Sequence, residues 1–180
     1  MTSQIKHRQV LHDLILDVKP KRFAEMGVWK SHLTKYLLKS KCASIIEEYW
    51  AIDQWRVLGP EHGRMSRLTV ADWRSLYFYC CRLMIYFPQL KVVKSTTMEA
   101  VSLFENQYFD MVFVDANHFY DRVKADILAW MPKIKRGGFI TGHDYNMGRR
   151  KKHNVKQAVD DVFGMGNIEV RENGVWIKEL

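Results

Sequence analysis

One stretch constrains the fold more than any other. Residues 109–145 spell strand, polar loop, helix, Gly137-Gly138 and strand, then a second polar loop. After Asp110 the first strand, 110–114, is wholly apolar, as a strand covered on both faces should be. A helix over 120–131 and a strand over 139–141 follow. Both strands run out into loops that carry an acid and a histidine: Asp115-Ala116-Asn117-His118 and Gly142-His143-Asp144-Tyr145. In an open parallel α/β sheet, ligands bind outside the carboxyl ends of the strands. Two acids and two histidines therefore stand where a site belongs.

The rest of the chain continues the alternation. Apolar positions predict an amphipathic helix over 5–18, stopped by Pro20. Strands are expected at 21–25, at 44–53 or only its later half, and at 90–94. Helices are expected at 32–39, 69–87, 98–104 and 155–163. Segments 167–171 and 175–178 flank Asn173-Gly174, a hairpin signal. Residues 54–68, polar and carrying Gly59-Pro60 and Gly63, read as a lid or substrate loop. The expected fold is α/β, a Rossmann-like three-layer sandwich in one domain over 1–180, with residues 1–20 as an N-terminal helix. Its seven-stranded sheet is mostly parallel with an antiparallel C-terminal hairpin strand.

Composition narrows the class. With 180 residues, 47% apolar and 13% aromatic, the chain can bury a sizeable core. No apolar run is long enough to cross a bilayer, and the first twenty residues lack a signal-peptide core. The expectation is a soluble cytoplasmic protein without a membrane partner. Cys42, Cys80 and Cys81 show no metal or disulfide spacing and read as buried thiols. The net charge of +8 invites a nucleic-acid partner, but the basic residues do not interleave with an aromatic strip.

Three constellations precede the opening stretch. Glu25 ends the first strand, Gly27 follows in the turn and Ser31 stands four residues on. A turn without side-chain bulk lets backbone approach a ligand. An acid beside it disfavours phosphate and favours a cationic or hydroxyl-bearing ligand. S-adenosylmethionine, with its amino group and sulfonium, suits that better than a dinucleotide. Asp53, with Gln54 beside it, ends the second strand where a carboxylate can accept ribose hydroxyls. Ser95-Thr96-Thr97 follows the third strand, where small hydroxyl residues can line an adenine edge and can equally cap the next helix, the two roles being compatible.

With these residues in place, 115–145 resembles class I S-adenosylmethionine-dependent methyltransferases, in the small-molecule O-methyltransferase branch that includes macrolide-sugar and catechol enzymes. The pattern is Asp115, His118-Phe119-Tyr120, Asp126, Trp130, Gly137-Gly138 and Gly142-His143-Asp144-Tyr145. The likeness extends from about Phe23 to the C-terminal hairpin. Ser31 departs from it, standing where many relatives have a second glycine. The resemblance implies methyl transfer from S-adenosylmethionine to an oxygen of a small, sugar-containing or anionic acceptor. Glu25, Gly27, Ser31, Asp53, Gln54, Thr96, Thr97 and Asp115 are then the cofactor contacts.

In metal-dependent members a divalent cation lies between the loops after the fourth and fifth strands. Asp115, His143 and Asp144 match those positions, and the set suits Mg²⁺, Mn²⁺, Fe²⁺ or Zn²⁺. Alternatively, His143 and Asp144 only hydrogen-bond across the loop. His143 and His118 are the candidate bases, with Asp115 beside them. If His143 ligates metal, His118 inherits the base role. Two other readings stand: a metal-dependent hydroxylase on this fold, and a nucleic-acid methyltransferase or binder. The second lacks an Asn/Asp-Pro-Pro-Tyr motif. Arg149-Arg150-Lys151-Lys152, with His62 and Arg64, would make the mouth electropositive and select an anionic acceptor. The helix after the lid, with Tyr77, Phe78, Tyr79 and Tyr86, is apolar on more than one side and could join two copies.

Overall fold

Seven strands form one sheet in the order β3-β2-β1-β4-β5-β7-β6 in the computed structural model, which describes residues 3–146 and 154–180. The strands are β1 (Arg22–Met26), β2 (Glu48–Asp53), β3 (Leu90–Lys94), β4 (Phe109–Val114), β5 (Ile134–Gly142), β6 (Glu169–Arg171) and β7 (Val175–Glu179). The helices are α1 (Ser3–Val18), α2 (His32–Leu38), α3 (Val70–Leu83), α4 (Thr97–Ala100), α5 (Tyr120–Trp130) and α6 (Val155–Phe163). The first five strands pair in parallel, and β7 enters antiparallel to both β5 and β6. The three-layer α/β sandwich expected from the sequence is the one observed. Two buried clusters cover the two faces, one centred on Leu11, Phe23, Tyr49 and Phe113, the other on Val112, Ile127, Trp130 and Trp176.

Strand order turns away from β1 in both directions, towards β2 on one side and β4 on the other. That reversal opens a crevice at the carboxyl ends of β1 and β4. Asp110 fixes the opposite end: its carboxylate accepts from the Lys21 and Arg22 N–H groups and from Lys135 Nζ.

The structure corrects several bounds. The Gly137-Gly138 pair is a bulge inside β5, not a turn before it; the register against β4 shifts there, and Gly137 N–H donates to Leu180 O at 2.6 Å. Residues 41–44 form a 3₁₀ turn, which leaves β2 only its later half. The 54–68 loop contains 3₁₀ turns over Pro60–Arg67, kinked at Gly63. α3 stops at Leu83, ahead of Pro88, which disfavours helix in the residue before it. Its expected apolar face leaves Val70, Phe78, Met84, Ile85 and Tyr86 exposed. Arg149, Arg150, Lys151 and Lys152 lie outside the described residues, so the expected electropositive mouth is represented here only by His62 and Arg64. Among the described residues no helix is long and apolar enough to cross a membrane.

Candidate functional site

The turn after β1 is shaped by the protein itself. Gly27 has φ +91°, and a Cβ there would meet the Asp115 carbonyl and come within 2.6 Å of Ala116 Cα. The glycine is therefore required because the backbone after β4 lies against it, and not only to admit a ligand. Gly27 N–H donates to Ile52 O, and Asp115 N–H to Met26 O, each at 2.9 Å. Trp29 and Ser31 also have positive φ, 45° and 56°. Ser31 is fully buried beside Cys80, whose thiol is pushed up to about 12 by burial. The Ser31 hydroxyl is buried without a hydrogen-bond partner among the described residues.

The acids of this half hold the turn. Asp53 Oδ2 accepts from Trp29 N–H and Oδ1 from Trp55 N–H, both at 2.8 Å. Each carboxylate oxygen has a second lone pair for another donor. Glu25 lies beneath the turn, 2% exposed, and accepts from Thr34 Oγ1 at 2.6 Å and Tyr49 OH at 2.5 Å. Burial pushes its carboxyl up to about 8. The Gln54 side chain accepts from Arg56. Thr96 caps α4 in a reciprocal pair with Glu99, and Thr97 Oγ1 donates to Asp126 at 2.5 Å. The cap expected in this stretch is made by Thr96, while the Thr97 hydroxyl turns to α5.

The acids and histidines of the opening stretch do meet. Asp144, in left-handed backbone at φ 62°, divides its carboxylate between two imidazoles. Oδ2 lies 2.8 Å from His118 Nε2, and Oδ1 lies 3.2 Å from His143 Nδ1. Asp115 Oδ1 is 3.6 Å from His118 Nε2. Burial opposes charge on His118, yet the two carboxylates outweigh it and lift the ring to about 10. Burial likewise opposes charge on His143, and Asp144 and Asp115 overcome it. Burial alone would raise Asp144; the two histidines hold it well below the usual carboxylate range.

Donor atoms of Asp115, His118 and Asp144 all lie within 4.8 Å of one another. Small adjustments bring that spread to the span of two metal–ligand bonds, about 4.2 Å. Two carboxylates and an imidazole suit a divalent cation, so this donor set fits the metal that the resemblance implies. Of the expected set of Asp115, His143 and Asp144, the two carboxylates fall in this group, and the imidazole nearest both of them is that of His118. His118 lies between the carboxylates, while His143 points its Nδ1 at Asp144 from the side.

His7 was missed. It comes from α1, far off in sequence, and its ring packs on His143 with centroids 4.5 Å apart. Its Nδ1 is buried without a hydrogen-bond partner among the described residues. Burial and the charge of His143 lower its pKa. A polar residue on the apolar side of an amphipathic helix was the signal available. Two further elements close over the loops. The ring of His62 stands edge-on to Phe119, and Gly174 O in the β6–β7 turn accepts from Tyr145 N–H at 3.0 Å.

A Rossmann-like sheet with an antiparallel seventh strand, carrying this cluster at its carboxyl edge, defines the methyltransferase class of α/β domain. The chain belongs to the family described as Methyltransferase domain, whose model matches residues 25–145. It is 26% identical over 136 residues to the uncharacterised protein y4gI of Sinorhizobium fredii, a match that takes in 73% of this chain and 14% of that protein. Among solved structures, it superposes on the S-adenosylhomocysteine-bound methyltransferase PaMTH1 of Podospora anserina with TM-score 0.64 and 15% identity, covering 100% of this chain and 80% of that one. The O-methyltransferase TomG of Streptomyces achromogenes, complexed with S-adenosylmethionine, gives 0.60 and 14%, covering 96% and 78%. A putative caffeoyl-CoA O-methyltransferase of Staphylococcus aureus gives 0.61 and 13%, covering 95% and 81%.

Proposed function

We propose that the chain transfers a methyl group from S-adenosylmethionine to an oxygen of a small, sugar-containing or anionic acceptor. The observation that carries this is the division of Asp144 between His118 and His143, at the carboxyl edge of a methyltransferase-family sheet.

The crevice fits the cofactor in two respects. The Asp53 oxygens keep lone pairs for ribose hydroxyls, and Trp29 Nε1 in the turn is a buried donor without a partner among the described residues. Bound S-adenosylmethionine supplies an electrophilic methyl on a sulfonium. Asp115, His118 and Asp144 would hold a divalent cation, which would supply positive charge to acidify an acceptor hydroxyl.

The chain's own residues position and deprotonate. Asp144 Oδ1 holds the Nδ1–H tautomer of His143, and the ring of His7 packs against it at a tilt. That leaves His143 Nε2 to take the acceptor proton. As the acceptor O–H bond breaks to Nε2, the oxygen pair forms the new C–O bond and the C–S pair leaves with sulfur. His118 has its Nε2 turned to Asp115 and Asp144, so that nitrogen is engaged and the base role falls to His143. His62 of the Pro60–Arg67 turns and His7 of α1 flank the loops after β4 and β5 through Phe119 and His143.

Calorimetric titration with S-adenosylhomocysteine tests the cofactor assignment. The wild type should bind, and Asp53→Ala should weaken binding about tenfold or more through lost charge-assisted hydrogen bonds. A wild type that does not bind contradicts the reading.

A further inference from the structure

A second concave surface lies apart from the β4 and β5 loops, in the groove between α1 and α2. Arg8 of α1 faces His32, Lys35, Tyr36, Lys39 and Ser40 across an open cleft of about 460 Å³. The helical spacing of 32, 35 and 39 puts three basic side chains on one stripe of α2. No carboxylate lines the groove. Among the described residues Arg8, Lys35 and Lys39 make no ion pair, whereas Lys21, Lys135 and Lys156 pair with Glu47, Asp110 and Asp160. The polar partners nearby are neutral: Lys35 Nζ donates to Tyr79 OH, and Tyr36 OH donates to Gln9.

Lys35 and Lys39 are like charges one helical turn apart at the C-terminal end of α2, where the helix dipole offsets part of their repulsion. The field is felt locally: burial, and then the charges of Arg8, Lys30 and Lys35, lower the His32 pKa. A concave wall of one sign concentrates counter-ions. A carboxylate ligand would bring one negative charge to three permanent cations. A phosphate monoester brings nearly two, with three acceptor oxygens. The cleft is also several times larger than a phosphate, so an organic portion fits beside it.

We propose that the α1–α2 groove binds the phosphate group of a small molecule, with Arg8, Lys35 and Lys39 as its cationic partners. The proposal stands whether or not the methyl-transfer reading does, since none of these residues belongs to the Asp115–His118–Asp144 cluster.

The test is calorimetric titration of the full chain with inorganic phosphate and with glucose 6-phosphate, at low and high NaCl. The wild type should bind at least one of them saturably, and more weakly at high salt. Lys35→Gln/Lys39→Gln should weaken binding about tenfold or more, as the loss of two charge-assisted contacts requires. Arg8→Gln should weaken it as well. Should the double variant fail to melt cooperatively, the single change at exposed Lys39 gives the same comparison. Tighter binding of the sugar phosphate marks the phosphate of a larger molecule; equal binding marks free phosphate. No saturable binding of either by the wild type, or equal affinity in wild type and variants, overturns the proposal.

Discussion

At the scale of single residues, the turn after β1 is defined by contact with the turn after β4. Gly27→Ala puts a Cβ into the Asp115 backbone at φ +91°, so it should cost about 2–4 kcal/mol in denaturant melts. Gly137→Ala, at φ 73° with nothing within 4 Å of a new Cβ, should cost only about 1–2 kcal/mol. Equal costs would mean that the Gly27–Asp115 contact does not form. Glu25 gives a pH signature. Its carboxyl titrates near 8 in the fold and near 4.5 without it, so between those values the folded state holds a proton that the unfolded chain has lost. Stability from this group is therefore complete below about pH 4.5 and declines as pH rises to about 8, by up to about 1.4 kcal/mol per unit. Glu25→Gln should remove that decline relative to wild type in melts across the range; parallel pH profiles would contradict it. Glu25 and Asp53 were visible as strand-end acids. Their hydrogen bonds to Thr34, Tyr49, Trp29 and Trp55 were not, because those depend on which side chains the fold buries against them.

At the scale of elements, the strands were legible from apolar runs and turn residues, and β3 and α6 coincide with their expected bounds. The failures have local causes. Gly137-Gly138 reads as a turn because glycine marks turns, yet in β5 it absorbs an irregularity in register. The metal set differs for a similar reason. Sequence order places His143 next to Asp144, but the turn after β4 also brings His118 across to within 2.8 Å of the same carboxylate. His7 could not be assigned, because nothing in α1 says where that helix docks. The revised ligand set makes a direct prediction for Mn²⁺ binding followed by electron paramagnetic resonance. His118→Ala should lower affinity about 10–100-fold, and His143→Ala much less, since its imidazole acts beside the cluster. The reverse order would restore the set expected from sequence.

At the scale of the whole molecule, the sheet brings together loops that are distant in the chain. β1 and β2 bring Gly27 and Asp53 to the carboxyl edge; β4 and β5 bring Asp115, His118, His143 and Asp144. The β6–β7 hairpin and α1 then hold the second loop from behind and above, through Gly174 and His7. In this arrangement Asp144 is the residue on which both histidines depend, so the central claim is tested there. The measurement is transfer of labelled methyl from S-adenosylmethionine into a low-molecular-weight extract, with wild type and Asp144→Asn side by side. Wild type should label a small molecule. Asp144→Asn should do so about 10²-fold or more slowly while binding S-adenosylhomocysteine as before. Full activity in Asp144→Asn, or no transfer by the wild type, would contradict the account.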